Sequence, residues 1–556
     1  MCGIFAYSGS RNVTKVLTKG LTNLEYRGYD SAGIAFFDKK SIRRFRVCGG
    51  VKELQKKTLA LHNKGGIGMG HTRWASHGPP SEINAHPHHS DTIYVVHNGV
   101  IENVEEIKKI ISCDKILSDT DTELIAHLIN HFHQSENLSF FESILKSADL
   151  MKGSFAVVAL NEKNPKELIA FKSGPPLILA KKENDFFISS DLQALENDSE
   201  IIFLDEEEIL HLKNNHFKIF NFKGKKLKRS FKKIPKDNIS LSGTSKQNHP
   251  HFMIKEILEQ PLVLSQIIDK HINKKSQKIK FKIAKGNQKE LNQILKDTPE
   301  ILILGCGSSY YSALFAKYFL EENAGIKVSV EIASEFIYKK SVILPNSLVI
   351  FVSQSGETAD ILTALKHTKK LGLKSLSFCN VQNSSLERKT DFSVFLSAGK
   401  EIAVASTKTF LASVFSFCLF AFFISKLKKT LKNEQKIIAE LLSLPRLAEK
   451  VLNCDQFFLE MKEKLKSFKT FLYLGRGPYY PIALEGALKL KEIAYLHAEA
   501  YPSGEMKHGP LAMIDKQTAV VAILPIHETL YQKSLTNLRE AQSRGAYLIS
   551  IGGKVQ

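Results

Sequence analysis

The run Leu348-Val349-Ile350-Phe351-Val352-Ser353-Gln354-Ser355-Gly356-Glu357-Thr358 sets an unbroken apolar segment against a turn rich in hydroxyls, with a helical pattern from Ala359 onward. A strand that is apolar along its whole length has both faces covered, which predicts a parallel sheet with helices on either side. The pattern occurs upstream, where Ile301-Leu302-Ile303-Leu304 runs into Gly305-Cys306-Gly307. It returns downstream: Gly305, Gly307, Tyr310, Ala313 and Leu314 reappear as Gly475, Gly477, Tyr480, Ala483 and Leu484, each 170 positions later and again behind an apolar run, Phe471-Leu472-Tyr473-Leu474. Repetition at a fixed interval predicts two related α/β modules, each a doubly wound parallel sheet. After the apolar runs 519–524 and 547–551 the sequence stops at Gln556, just past a strand, so the second module is expected to be incomplete.

Before residue 240 the texture differs. Short β-like runs at 93–96, 155–160 and 186–189 are interrupted by helical stretches near 103–111 and 121–133, which predicts an α+β domain. The polar stretch 242–248 then opens a linker that turns helical. The expected division is an α+β domain over 1–240, a linker and connecting helix over 241–287, a first α/β module over 288–455 and a second over 456–556. That agrees with the three or four domains of about 150 residues that this length implies.

With 43% hydrophobic and 24% charged residues the chain has the composition of a soluble globular protein. Its net charge of +20 is spread over short runs such as Lys225-Lys226-Leu227-Lys228-Arg229 and Lys274-Lys275. A nucleic-acid surface gathers such charge on one face with aromatics between, so these runs read as solvated faces and no nucleic-acid partner is expected. Anionic small substrates remain compatible. The 7 cysteines form an odd set without a CxxC pair, which argues against a disulfide framework or zinc ribbon and for the reducing cytoplasm. The N-terminus lacks the basic start and apolar core of a signal peptide. The apolar run 409–425 falls short of the roughly 20 residues of a membrane span, so it is expected to be a buried helix, with no membrane partner.

Chemistry concentrates in two places. Cys2 becomes terminal once Met1 is removed, and the freed α-amine, with an ordinary pKa near 8, can serve as base for its own thiol. Alone, such a cysteine also reads as a small buried hydrophobe. Around it stand Tyr26-Arg27-Gly28-Tyr29-Asp30-Ser31-Ala32-Gly33, His71-Thr72-Arg73-Trp74-Ala75-Ser76-His77-Gly78, Asn84-Ala85-His86-Pro87-His88 and His97-Asn98-Gly99. These segments resemble the glutaminase domain of N-terminal-nucleophile amidotransferases. The resemblance implies that Cys2 attacks the glutamine amide while the Asn98 side chain and the Gly99 backbone N–H stabilise the oxyanion. Arg73 would hold the α-carboxylate and Asp121 the α-ammonium, and Trp74 would gate an ammonia path with His77 on the same loop. Hydrolysing an amide needs a nucleophile, an oxyanion hole and a grip on the amino acid, and each part is present. Other readings stand beside these: Asn98-Gly99 as a hairpin turn, Asp121 as a helix cap. The histidines His71, His77, His86, His88, His89 and His97 lack a recognised ligand spacing, and no metal is expected.

The second place is the turn quoted first. Backbone N–H groups at a helix start, with several hydroxyls, make a cradle for a phosphate monoester. No Walker lysine is present, and Gly305-Cys306-Gly307 is followed by serines rather than the third glycine of a dinucleotide fingerprint, so NAD is a weak alternative. Together the two modules resemble the paired sugar isomerase domains of the glutamine–fructose-6-phosphate aminotransferase (glucosamine-6-phosphate synthase) family. With the N-terminal match the resemblance covers nearly all of the chain. It implies that Ser309, Ser353, Gln354, Ser355 and Thr358 bind the sugar phosphate, with Ser308 nearby and Val404 lining the sugar. In the second module Glu485, Lys489 and Glu492 share one helical face, which spacing alone would read as a surface ion-pair ladder.

Isomerising a ketose to an aldose needs a base that moves a proton between adjacent carbons. The resemblance gives that role to Glu492, with Lys489 assisting, Glu485 at the sugar site and His508 opening the ring. In the family this histidine comes from a neighbouring subunit, so a homodimer is implied; neither step requires a cofactor. The family's chain continues to a tail whose lysine forms a Schiff base with the sugar, and no counterpart stands in this sequence. The expectation is therefore glutamine-dependent synthesis of glucosamine 6-phosphate from fructose 6-phosphate. A glutaminase without synthase activity and a sugar-phosphate sensor are the alternatives.

Overall fold

Strand Gly3–Gly9 sends successive side chains to opposite faces, as an extended backbone must. Ile4 and Ala6 enter a core shared with a second sheet, where they meet Val96, Ala156, Val158 and Leu160. Phe5 and Tyr7 point the other way, against Val13, Leu17 and Leu21 of the helix Val13–Thr22. The second sheet repeats this logic, since Phe155, Val157 and Ala159 face Ile125, Leu128 and Ile129 of the helix Asp121–Ser135. The result is four layers, helix on sheet on sheet on helix. This computed structural model describes residues 2–39, 41–61, 65–111, 116–233, 246 and 248–552, so most of the polar stretch 242–248 lies outside them.

The chain divides into two compact units, Met1–Ser245 and Lys246–Gln556. Among the described residues the first holds one eight-stranded and one seven-stranded antiparallel sheet. Register fixes what lies near Cys2. Gly3 pairs with Thr72 at the end of strand Gly66–Arg73, which carries the chain into Trp74 beside Cys2. From the other sheet, strand Ile93–Ile101 carries Asn98 and Gly99 opposite Ala156 and Phe155.

In the second unit, five parallel strands lie in the spatial order Lys327–Ile332, Glu300–Gly305, Leu348–Ser353, Lys374–Cys379, Phe392–Phe395. A second parallel sheet has the order His497–Pro502, Thr470–Gly475, Thr518–Leu524, Tyr547–Gly552. In both, the chain order reverses between the first and third strands, and ligands bind outside the carboxyl ends of strands at such a switch point. For the first module those ends are Gly305 and Ser353, which begin the two quoted turns. The repeat holds in three dimensions: Gly307 and Gly477 adopt φ of +53° and +58°, a left-handed conformation that glycine alone adopts freely, ahead of the helices Ser308–Ala324 and Tyr479–Ala494.

The run 409–425 lies in the helix Lys408–Leu427, which is long and apolar enough to cross a membrane by composition. Phe417, Phe420, Ala421 and Ile424 are fully buried, and the helix packs on Ser308–Ala324 and Gln260–His271. A helix that is apolar around its circumference is what a covered parallel sheet needs on its flank. The region after residue 251 also contributes core: Val263, Leu264, Ile267, Ile268, Ile279 and Phe281 are buried within the same cluster.

Candidate active site

The Cys2 thiol is half-buried, with its Sγ 3.3 Å from the Trp74 N–H that donates to it and 3.6 Å from the Trp74 carbonyl. Burial pushes its pKa up, opposed by the Trp74 N–H and by the charges of Arg73 and Arg27. The Asn98 amide donates from Nδ2 to the Cys2 carbonyl at 3.0 Å. Asn98 and Gly99 lie within a strand, which replaces the hairpin-turn reading. Gly99 has φ +123°, and a Cβ there would lie 1.9 Å from the Ser154 carbonyl oxygen, so no other residue fits this position without moving the neighbouring strand.

The remaining residues of this group ring the same strand ends. Arg73 is buried, and its guanidinium donates to the carbonyls of His77, Gly78 and Pro79, so it organises the loop that follows it. Trp74 is 38% exposed and meets Tyr29 edge to face at 5.4 Å. His77 is exposed beside the Ser76 hydroxyl. Asp121 opens its helix, but the cap position belongs to Thr120; the Asp121 carboxylate accepts the Ile101 N–H at 2.9 Å and stands 3.8 Å from His97 Nδ1. Its side chain therefore ties the far end of the Asn98 strand instead of capping the helix.

Sequence reading did not single out His71 as a functional residue. It is fully buried, and its Nε2 lies 3.0 Å from Asn98 Oδ1 and 2.9 Å from the His97 carbonyl. Only the packing of two sheets, which sets strand Gly66–Arg73 of one against strand Ile93–Ile101 of the other, brings this about, so spacing along the chain carries no signal of it. Burial lowers the pKa values of His71 and His88 to about 3 and that of His86 well below the usual range. Their ring nitrogens meet Asn98, Thr120 and Thr122 side chains. Among the described residues no group of three or more His, Cys, Asp or Glu side chains is arranged for a metal ion.

In the second unit the turn after strand Leu348–Ser353 is shaped by its own hydroxyls. Ser353 Oγ accepts the Gly356 N–H at 3.0 Å and lies 3.3 Å from Thr358 Oγ1, while Ser355 Oγ accepts the Glu357 N–H at 3.2 Å. The Gln354 carbonyl accepts from Asn380 N at 3.2 Å. Thr358 precedes the helix Ala359–Lys370 without a side-chain cap, so the first N–H groups there stay available to an anion. Ser308 and Ser309 start the helix on the other side of the switch point.

Ser308 also joins the two modules. Its Oγ donates to Glu485 Oε1 at 2.8 Å and accepts from Lys489 Nζ at 3.3 Å, and Lys489 reaches Glu492 at 2.6 Å and Glu485 at 3.3 Å. Glu485 is buried, which raises its pKa against the pull of Lys489 and Ser308. The face read as a possible surface ladder is thus partly internal. Val404 is 52% exposed, on a loop fixed by two carboxylates: Glu401 accepts the N–H groups of Thr407 and Thr409, and Glu256 accepts those of Ile402 and Ala403. His508 is exposed after the short turn Ser503–Lys507, and no hydrogen bond or ion pair joins its imidazole to Glu492.

Residues 71–197 match the family model of the glutamine amidotransferase domain, and residues 294–422 and 464–556 match that of the SIS domain. Over 564 residues the chain is 42% identical to the glutamine–fructose-6-phosphate aminotransferase (isomerizing) of Francisella tularensis, covering 99% of this chain and 89% of that protein. The chain belongs to the glutamine–fructose-6-phosphate aminotransferase family. It is 43% identical over 551 residues to the family member of Buchnera aphidicola, covering 98% of this chain and 89% of that one. Among solved structures, the C-terminal domain of the Francisella tularensis aminotransferase matches with a TM-score of 0.53 at 43% identity, over 55% of this chain and 85% of that one. Membership in this aminotransferase family agrees with the expected fold class, an α+β glutaminase domain followed by two α/β sugar isomerase modules.

Proposed function

We propose that the chain transfers the amide nitrogen of glutamine to fructose 6-phosphate, giving glucosamine 6-phosphate and glutamate, the entry to amino-sugar synthesis. The single observation that carries this reading is the convergence at the end of strand Gly3–Gly9: a thiol at position 2, held by the Trp74 N–H, lies beside the Asn98 amide and a glycine strand position. Cys2, freed at the amino terminus, attacks the amide, and the Asn98 Nδ2–H and Gly99 N–H receive the oxyanion. Arg73 and Asp121 bind the amino acid's two charged ends, which requires the Arg73 guanidinium to exchange loop carbonyls for a carboxylate. Trp74 and His77 close over the site.

Ser308, Ser309, Ser353, Gln354, Ser355 and Thr358 hold the sugar phosphate at the switch point, with Val404 and Glu485 against the sugar. Glu492 moves the proton between C1 and C2, Lys489 steers it, and His508 of a second copy opens the ring, making the working form a cytoplasmic homodimer. The glutaminase domain is assigned to 1–240, the connection to 241–287, and the two sugar isomerase modules to 288–455 and 456–556.

A coupled assay for glucosamine 6-phosphate, run with glutamine and the Cys2→Ala variant, tests the central step. Product formed from glutamine by that variant would reject Cys2 as the nucleophile. The shared site is tested by mixing Glu492→Gln with His508→Ala: mixed dimers are expected to recover activity that neither variant has alone.

A further inference from the structure

We propose that His71 is a positioning residue for the oxyanion hole, fixing which end of the Asn98 side chain faces the nucleophile; this rests on the reading of Asn98 as oxyanion donor. An asparagine amide has two ends of similar shape, an oxygen that accepts and an NH2 that donates, and only the second can stabilise an oxyanion. Two neighbours decide the choice. The His97 carbonyl, 2.9 Å from His71 Nε2, can only accept, so the His71 proton sits on Nε2. That same N–H lies 3.0 Å from the Asn98 side chain and demands an acceptor there, which places Oδ1 against His71 and Nδ2 3.0 Å from the Cys2 carbonyl. Flipping the amide would set N–H against N–H on one side and oxygen against oxygen on the other.

The ring has little freedom to yield. It is fully buried and stacks on His86 with centroids 4.0 Å apart at 20°. Its burial keeps it uncharged at neutral pH, with a pKa of about 3, so Nε2–H remains the one proton aimed at Asn98. Donation to Oδ1 also polarises the amide and strengthens Nδ2–H as a donor. None of this touches the glutamine carboxylate or ammonium, so the consequence falls on the transition state, not on substrate binding.

The test is glutamine hydrolysis by the full-length chain with His71→Phe, which keeps the ring and its stacking but has no N–H, and His71→Gln, whose amide can reach Asn98. H71F is expected to lower kcat roughly 30-fold, less than the roughly 10²–10³ for removing an oxyanion donor outright, while KM for glutamine and the inhibition constant of glutamate change less than about threefold. H71Q recovers most of the loss. On an Asn98→Ala background H71F lowers kcat no further, because the group it positions is gone. Should H71F fold poorly, His71→Asn, too short to reach Asn98, is expected to show the same kcat loss. The proposal is overturned by a variant without N–H that keeps full kcat, by a loss carried in KM and glutamate binding, or by additive losses in the double variant. Full hydrolysis by Cys2→Ala or Asn98→Ala would instead overturn the underlying reading, and the role of His71 with it.

Discussion

Asn98 and Gly99 occupy adjacent strand positions but contribute through different atoms, so their substitutions separate cleanly. Asn98→Ala removes a side-chain donor from a strand that stays paired, and the expected result is a loss of about 10²–10³ in kcat for glutamine hydrolysis with KM little changed. Gly99→Ala brings a Cβ to 1.9 Å from the Ser154 carbonyl at a φ that L-residues rarely adopt. It is expected to lower the thermal midpoint as well as the rate, and calorimetry alongside the assay checks both. The motif around these residues was legible because its chemistry lies in consecutive residues. The contact from His71 to Asn98 was not, since it depends on residues 27 positions apart meeting where two separate sheets pack together. Asp121 shows the intermediate case: the sequence marks a helix start, but only the fold shows the carboxylate turned back to the Ile101 N–H.

Two helices one repeat apart show how a duplicated element diverges. In the first module Phe315 and Phe319 stack at 6.0 Å, and Phe319 meets Phe422 edge to face. The positions 170 residues later are Glu485 and Lys489. The backbone is kept, while one copy spends this face on packing and the other on a charged cluster around Ser308. Conversely the serines at 353 and 355 have no counterpart after strand Thr518–Leu524, which runs into Pro525-Ile526-His527, so the hydroxyl-rich turn belongs to one copy alone. Lys489→Met strips the buried Glu485 of its cation and is expected to cost about 1–3 kcal/mol of stability. It is also expected to slow formation of glucosamine 6-phosphate from fructose 6-phosphate at least tenfold, read by the same coupled assay. The repeat could be read from five matched residues; the ion cluster's burial could not, because helical spacing is the same for an exposed ladder and an internal one.

At the scale of the molecule the buried histidines set its response to acid. His71 and His88 titrate near 3 in the fold and near 6.5 when unfolded, and burial likewise lowers His86 well below its ordinary range. Between those values only the unfolded chain is protonated, so this contribution is complete above about pH 6.5 and declines as pH falls. At pH 5 His71 and His88 each cost about 2 kcal/mol, together a sizeable share of a typical margin of about 5–15 kcal/mol, and His86 acts in the same direction. Glu123 adds to this lower down: burial pushes its carboxyl up, but the hydrogen bonds from Leu117, Ser118 and His127 prevail and bring it to about 2, so its support fades from about pH 4.5. The first unit is expected to unfold cooperatively near pH 5, and the only tryptophan, Trp74, reports it by fluorescence. Trp74 emission that holds steady down to pH 4 would contradict this account.

The helix Lys408–Leu427 bears on how the chain is made. Its main helical partners, Gln260–His271, Gln288–Asp297 and Ser308–Ala324, precede it, while Lys426 also pairs with Glu434 of the helix Glu434–Leu452 that follows. When this apolar segment leaves the ribosome, most of the surface it packs on has already been synthesised, so docking can compete with capture by the machinery that inserts membrane proteins.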